Sequence, residues 1–312
     1  MSALICASFP YHAIVVFDDR FKNHLLPDKV HILNVAFHVP DMRREFGGCA
    51  ANIAYNLKLL GGEPLPMGTV GTDFAPYAEW MDTHGISRKH VTVIDGTYTA
   101  QAFITTDLDD NQIIAFHPGA MDHAHRNKVG DASGVKIGIV SPDGRTGMLE
   151  HATEFAEAGI PFIFDPGQGL PLFGGEELLD FITKATYVCV NDYESQLICD
   201  RTGLSPHEIA ERVDALIITR GGKGSEIYLP SKRIDVPAAP ARELLDPTGC
   251  GDAYRAGLLY GLMNGLDWDV TGRIAALMGA IKIEHHGTQN HRFSRDEFAA
   301  RYRESFGHAL GW

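Results

Sequence analysis

The residues best suited to chemistry lie in one short segment, Asp246 to Asp252, with the sequence DPTGCGD. Gly249 and Gly251 allow the backbone to turn tightly, and residues 252–263 carry apolar side chains at helical spacing. A loop that opens directly into a helix presents unpaired N–H groups and the positive end of the helix dipole, which together bind anions. The segment therefore predicts a phosphate site that needs no lysine.

Asp252 stands at the start of that helix. An aspartate in this position commonly caps the helix and does nothing more. Beside a bound phosphate, however, the helix dipole would keep it ionised and able to accept a hydroxyl proton during phosphoryl transfer. From this segment alone, capping is the simpler interpretation.

A second pair of glycines, Gly47 and Gly48, also precedes a helical pattern, NIAYNLKLL. Glycines let a ligand approach the backbone, and Asn52, one turn into the helix, can both donate and accept hydrogen bonds with hydroxyls. Tight packing between a strand and a helix would explain the same glycines. Two glycine-to-helix junctions in one chain nevertheless favour a site that holds two substrates.

Short β-rich runs alternate with helical patterns in the middle of the chain. The runs are 135–140, 160–164, 186–190 and 215–219, and the helical patterns between them are 147–158, 176–184 and 206–213. Successive βα units predict a parallel sheet with right-handed crossovers, and such sheets bind ligands at the carboxyl ends of their strands. The sequence thus predicts an α/β fold that brings the loops together at one edge.

Residues 13–45 and 91–117 interrupt this alternation. They are rich in alternating or β-branched patterns, including VHILNVAFHV and VTVI, and carry no long helix, while Asp107 to Asn111 has a turn composition. These stretches predict a small antiparallel sheet that projects from the α/β domain. Such a sheet would serve as a lid over the pocket or as an edge that completes the core.

Length and composition fit a single large domain over residues 1–312. The chain is 45% hydrophobic, and its 40 acidic against 27 basic residues give a formal net charge of −13. A nucleic-acid partner is not expected, because phosphate backbones are neutralised by basic surfaces.

Five scattered cysteines without metal-ligand spacing indicate reduced thiols and a cytoplasmic protein. The apolar opening segment lacks a basic region and is interrupted by Pro10 and His12, so we expect a first strand and neither a signal peptide nor a membrane partner. A monomer and a homodimer both remain open.

The segments together resemble the ribokinase, or PfkB, family of carbohydrate kinases. Residues 47–71 match its first signature and residues 246–259 its second, while Asn191-Asp-Tyr-Glu194 and the TRGGKG segment, Thr219 to Gly224, resemble its NxxE motif and nucleotide loop. The resemblance runs in order over nearly the whole chain. It implies a ribokinase-like α/β fold, with a mainly parallel central sheet flanked by helices and a small β-sheet lid.

The resemblance also implies the ligands of the nucleotide half of the site. Asn191, Thr219, Gly221 and Gly224 would contact ATP, and Asn191 and Glu194 would hold Mg²⁺ through water. These last two lie about one helical turn apart, a spacing that a helix-capping pair shares. The family further implies activation by K⁺, bound by backbone carbonyls near Asp246 and the 287–290 loop.

Within the family, the segments DPTGCGDAYRAG, RREFGGCAANIAYNL, FHPGAM and FDPGQGLPLF look like those of the bacterial adenosine or nucleoside kinases. This implies phosphorylation of a purine nucleoside, adenosine or inosine, on its ribose 5′-hydroxyl at the expense of ATP, and a role in purine salvage. Phe103 and Phe116 on the lid would stack on the base or form part of the lid's core.

One position departs from the family. Where an Asp usually binds two sugar hydroxyls, this chain has His12, and an imidazole cannot grip a diol as two carboxylate oxygens do.

The working hypothesis places the nucleoside against His12, Gly47, Gly48 and Asn52. Asp252 would act as the base, and the amides of Gly249, Cys250 and Gly251 would hold the phosphoryl group. A sugar kinase of the same fold and a nucleoside-binding protein without turnover are the alternatives. No GxxxxGK[ST] segment occurs, which excludes a P-loop enzyme, and the lack of a strand-linked GxGxxG disfavours a dinucleotide dehydrogenase.

Overall fold

A computed structural model describes residues 2–25, 27–32, 34–109 and 111–311. Within these residues, the strands are β1 (Ser2–Cys6), β2 (Tyr11–Val16), β3 (Asp41–Phe46), β4 (Pro64–Val70), β5 (His90–Val93), β6 (Gln101–Thr106), β7 (Gln112–His117), β8 (Val135–Val140), β9 (Phe162–Phe164), β10 (Tyr187–Asn191), β11 (Ala215–Thr219), β12 (Ser225–Leu229) and β13 (Lys232–Val236). The helices are α1 (Cys49–Leu59), α2 (Ala75–Thr83), α3 (Arg145–Glu157), α4 (Gly175–Lys184), α5 (Asp192–Thr202), α6 (Pro206–Ala210), α7 (Cys250–Met263), α8 (Trp268–Ile283) and α9 (Arg295–Phe306).

The described strands form a nine-stranded central sheet in the order β13-β12-β11-β10-β9-β8-β1-β4-β5. The strands from β11 to β5 in this order run parallel, and β12 and β13 join antiparallel at one edge. The prediction of a mainly parallel sheet is confirmed. Its four β-rich runs correspond to β8 to β11, although β9 begins at Phe162 and β10 at Tyr187.

Helices cover both faces of this sheet. Along β1, Ala3 and Ile5 pack into one apolar cluster with α1, α7 and α8, while Leu4 and Cys6 pack into another with α3 to α6. Because both faces of these strands are buried, their sequences show little alternation between polar and apolar residues. The core thus holds the loops at the strands' carboxyl ends on a rigid base.

The lid is a separate four-stranded sheet in the order β3-β2-β6-β7. Its outer pairs are antiparallel as predicted, but the central pair, β2 and β6, is parallel, so the expectation of an all-antiparallel lid is wrong for that pair. The turn at Asp107 connects β6 to β7, and the Asp107 carboxylate accepts the amides of Asp109 and Asn111 at 3.0 and 2.9 Å. Asp110 lies outside the described residues.

Two expectations about the lid segments are also wrong. The run VTVI forms β5 at the edge of the central sheet, where it pairs with β4. The run VHILNVAFHV forms no strand in its described residues: Pro27–Ile32 is a 3₁₀ helix and 34–39 is irregular. There the Phe37 ring packs on other rings, with its centroid 4.8 Å from that of Phe17 and 5.1 Å from that of Phe21. These apolar side chains therefore pack together although the segment forms no strand.

None of the helices in the described ranges combines the length and the apolar character needed to cross a bilayer.

Candidate active site

The predicted anion loop ends at Gly249, which precedes α7 with φ of +80°. A side chain is strained in this left-handed conformation, so glycine is required there. The Cys250 amide donates to the Pro247 carbonyl at 3.2 Å, and this corrects the expectation that it is open to phosphate. For the amides of Gly249, Gly251 and Asp252, no protein acceptor is found among the described residues. The loop therefore keeps several donors for an anion, and Asp252 contributes one that the sequence did not reveal.

The Asp252 side chain does not cap α7, whose N-cap position makes no side-chain hydrogen bond. Instead, Asn52 Nδ2 donates to Asp252 Oδ2 at 2.8 Å. This bond joins the helix that follows Gly47 and Gly48 to the anion loop. Burial raises the pKa of Asp252 above its ordinary value, the hydrogen bond from Asn52 opposes this rise, and the charge of Asp165 adds to it. A partly exposed carboxyl with a raised pKa is suited to accept a proton.

A polar network fixes the orientation of Asn52. The Trp80 indole N–H, which can only donate, bonds to Gln289 Oε1 at 2.9 Å. Gln289 Nε2 must then act as the donor, and it bonds to Asn52 Oδ1 at 2.8 Å and to the Tyr77 hydroxyl at 2.9 Å. Asn52 is thereby left with its Nδ2 amino group facing Asp252. Sequence reasoning missed these partners because they are distant along the chain.

The glycine pair before α1 lies against the lid strand β2. A Cβ atom at Gly47 would stand 2.6 Å from the His12 imidazole, and one at Gly48, where φ is +91°, would stand 2.3 Å from Pro10 Cδ. The two glycines thus allow the lid strand to pack directly on the loop. His12 therefore lies against Gly47, and the Asn52 amide donates to the neighbouring Gly48 carbonyl at 3.0 Å.

His12 is paired across the lid with a carboxylate. In the β2–β3 register its partner is Glu45, whose Oε2 also accepts Asn290 Nδ2 at 3.3 Å. Burial lowers the pKa of His12, although the charges of Glu45 and Asp246 oppose this. Because its ordinary value is already below 7, His12 is neutral at pH 7. Glu45 is therefore a carboxylate on the His12 face that the sequence analysis did not single out.

The two lid phenylalanines lie on opposite faces of the lid. Phe116 is on the His12 face, since both residues pair with Ala102, whereas Phe103 pairs with Ala13 and Ala115 on the other face. Their exposed fractions are similar, 49% for Phe116 and 48% for Phe103. Only Phe116 shares the face of His12, so of the two rings it is the one placed to reach a base bound beside His12.

Asn191 and Glu194 form a reciprocal capping box at the start of α5. The Glu194 amide donates to Asn191 Oδ1 at 2.7 Å, and the Asn191 amide donates to Glu194 Oε2 at 2.8 Å. The capping alternative is thus present in the structure. It leaves Glu194 Oε1 and the Asn191 amino group for other partners.

These two residues can hold a hydrated Mg²⁺ but cannot enclose a bare ion. Among the described residues, no group of three or more His, Cys, Asp or Glu side chains is placed to bind a metal. Mg²⁺ keeps several waters and takes one or two carboxylates together with substrate phosphates. A single available oxygen on Glu194 fits that coordination.

The predicted nucleotide loop follows β11 beside this capping box. Thr219 pairs with Asn191 across the parallel strands β11 and β10, so both lie at the same edge. Gly221 and Gly224 have φ of +53° and +86°, and a Cβ at Gly224 would stand 2.1 Å from the Val236 carbonyl. A hydrogen bond of 2.7 Å between Ser225 Oγ and the Tyr254 hydroxyl ties the end of this loop to α7.

A buried ion pair lies beneath the anion loop. Arg255 Nη2 bonds to Asp165 Oδ1 at 2.7 Å, and both side chains are almost fully buried, with exposed fractions of 7% and 4%. Arg255 Nη1 also donates to the Gly251 carbonyl at 3.3 Å. The pair therefore connects the carboxyl end of β9 to the turn that presents the amides.

We compared the whole chain with known protein families, proteins and solved structures, and the results agree with a site built from two glycine segments and one carboxylate. Residues 14–294 match the model of the pfkB family carbohydrate kinases. The chain belongs to this family. The nucleoside kinase of Methanocaldococcus jannaschii is 32% identical over 270 residues, which cover 86% of this chain and 89% of that protein.

Solved structures of a nucleoside kinase are also similar to the chain. The Burkholderia thailandensis nucleoside kinase in complex with inosine is 54% identical with a TM-score of 0.90, covering 98% of this chain and 99% of that one. The same kinase in complex with ADP-inosine is 56% identical with a TM-score of 0.87, covering 98% and 97%. These likenesses confirm the ribokinase-like fold.

Proposed function

We propose that this protein is an ATP-dependent nucleoside kinase that phosphorylates the ribose 5′-hydroxyl of a purine nucleoside. The observation that carries the proposal is the hydrogen bond of 2.8 Å from Asn52 to Asp252, because it places a carboxyl of raised pKa between the two glycine segments. The likeness to a nucleoside kinase that binds inosine supports a purine nucleoside as the acceptor.

The acceptor would lie between the lid and α1. Gly47 and Gly48 let His12 and Pro10 pack against the loop before α1, and neutral His12 can donate to or accept from one ribose hydroxyl. Glu45, opposite His12, supplies the carboxylate that the family usually has at position 12. Phe116 lies on the same face of the lid and offers a ring to the base.

Transfer itself requires position and charge stabilisation more than covalent chemistry. Asp252 accepts the proton of the attacking hydroxyl, and the amides of Gly249, Gly251 and Asp252 face the charge that develops on the phosphoryl group. The nucleotide would extend from the Thr219–Gly224 loop toward α7. Glu194, with Asn191, would hold Mg²⁺ through water, and the ion would neutralise phosphate charge when bound.

The test is an acceptor panel. ADP formation from ATP and Mg²⁺ is measured with adenosine, inosine, ribose and fructose as separate acceptors. We expect kcat/KM for at least one purine nucleoside to exceed that for both sugars by ~100-fold or more, since a base pocket contributes several kcal/mol. A preference for a free sugar would make the protein a sugar kinase. Nucleoside binding by calorimetry without ADP formation would make it a binding protein.

A further inference from the structure

Lys282 in α8 is a buried cation outside the machinery described above. Its side chain is fully buried, with an exposed fraction of 0%. Its Nζ atom donates to the carbonyl oxygens of Asp246 and His285, at 2.7 and 3.0 Å. An ammonium group held by two carbonyls in the interior must have a structural purpose, because taking a charge out of water costs several kcal/mol.

The two carbonyls belong to the two loops that meet behind the anion site. Asp246 is the first residue of the anion loop, and its carboxylate accepts the amides of Thr248 and Gly287, both at 2.9 Å. His285 follows α8 and begins the loop that contains Gly287 and Gln289, the partner of Asn52. Lys282 therefore joins the loop that ends at Asp252 to the loop that orients Asn52.

These are also the loops whose carbonyls the family resemblance assigned to K⁺. A monovalent cation would need the carbonyl of Asp246 and its neighbours to converge on an ion. In this chain, two of those carbonyls already converge on the Lys282 ammonium, a cation of the same charge. The residues present therefore do not fit a bound K⁺.

We infer that Lys282 is a built-in replacement for the monovalent cation, so that the protein works without K⁺. Lys282 is a positioning residue: it acts on the reaction by holding the Asp246 and His285 carbonyls, and it adds a fixed positive charge behind the amides that receive the phosphoryl group. This inference rests on the proposed nucleoside kinase function.

The experiment compares salts at constant ionic strength. Nucleoside-dependent ADP formation is measured in tetramethylammonium chloride, whose cation is too large for a carbonyl cage, and in KCl. For the unaltered protein, kcat/KM should differ by less than ~2-fold between the two salts. Saturable activation by K⁺ of ~10-fold or more would overturn the inference and leave the kinase function intact, whereas no ADP formation with any nucleoside in either salt would overturn the proposed function itself.

Removing the Lys282 ammonium should make the activity depend on K⁺. In Lys282→Ala, activity in tetramethylammonium should fall ~10-fold or more, and K⁺ or NH₄⁺ should restore at least part of it with saturation. A loss of equal size in every salt, in a variant whose thermal unfolding remains cooperative, would contradict the inference.

Lys136→Ala is the matched control. Lys136 Nζ also donates to a backbone carbonyl, that of Met263 at the far end of α7. This variant should stay insensitive to the choice of salt. If Lys282→Ala fails to fold, the salt response of the unaltered protein still decides.

Discussion

Replacing Arg255 by Met tests whether the ion pair beneath the anion loop supports both stability and catalysis. The change keeps an unbranched side chain in the buried space and removes the charge that Asp165 faces at 2.7 Å. Asp165 would keep its hydrogen bond from Ser141 Oγ at 2.8 Å but would lose its counter-ion. Breaking a buried pair by removing one partner typically costs ~3–5 kcal/mol.

The near-complete burial of both side chains places this pair at the upper end of that range, and we expect a loss of ~4 kcal/mol in the free energy of unfolding, measured by urea denaturation. The double variant Arg255→Met/Asp165→Leu should recover much of the loss, because no unpaired charge then remains. A single-variant cost below ~1 kcal/mol would refute the reasoning, since only an exposed ion pair is worth so little.

The same change should alter the pH dependence of the reaction. The Arg255 charge lowers the pKa of Asp252, and the charge of Asp165 raises it. Loss of Arg255 removes the lowering influence, so the acidic limb of the kcat/KM profile should move to higher pH. The double variant should bring it back, because both charges are then absent. An unchanged limb in the single variant would show that the pair does not act on Asp252.

Three further predictions concern single side chains. Asn52→Leu removes the donor that stabilises the charged form of Asp252, so the acidic limb of kcat/KM should move to higher pH; a limb at the original pH would contradict the hydrogen bond. Glu45→Gln should raise KM for the nucleoside ~10-fold, as one charged hydrogen bond of ~1.5 kcal/mol is lost, with KM for ATP unchanged as the internal control; an equal rise in both constants would refute a ribose role. Burial raises the pKa of Asp143 to about 8 from 3.8. Between these two pH values the unfolded state holds fewer protons than the folded state, so the free energy of unfolding falls as pH rises. Asp143→Asn should remove that fall, measured as the difference in melting temperature between pH 5 and pH 8, and an unchanged difference would contradict the prediction.

The sheet could be predicted from the sequence because its signals are local. The runs that became β8 to β11 are short, apolar and separated by helical patterns, and each property follows from burial on both faces. The lid was harder to predict. The run 91–94 and the lid strands β2, β6 and β7 are all rich in β-branched residues. Only its pairing with β4 decides that the run joins the central sheet. The parallel pairing of β2 with β6 likewise depends on the path of the chain between them.

The candidate site also has residues that the sequence reveals and residues that it does not. Gly249 and Gly48 could be found because their positive φ demands glycine, and the family signatures pointed to Asp252 and Asn52. The residues that hold this site in place could not be found from the sequence. Gln289 reaches Asn52 across 237 positions of the chain, and Lys282 and Glu45 also act through residues distant from them in sequence. No local spacing marks such contacts.

The central claim is that Asp252 takes the proton of the attacking hydroxyl, and Asp252→Asn tests it most directly. The variant keeps the size of the side chain but cannot accept that proton. We predict that kcat for nucleoside phosphorylation falls by ~10²–10⁴-fold, the usual contribution of a general base, while the Kd values of ATP and nucleoside in calorimetry change by less than ~3-fold. Near-normal turnover in a variant that binds both substrates would contradict the account.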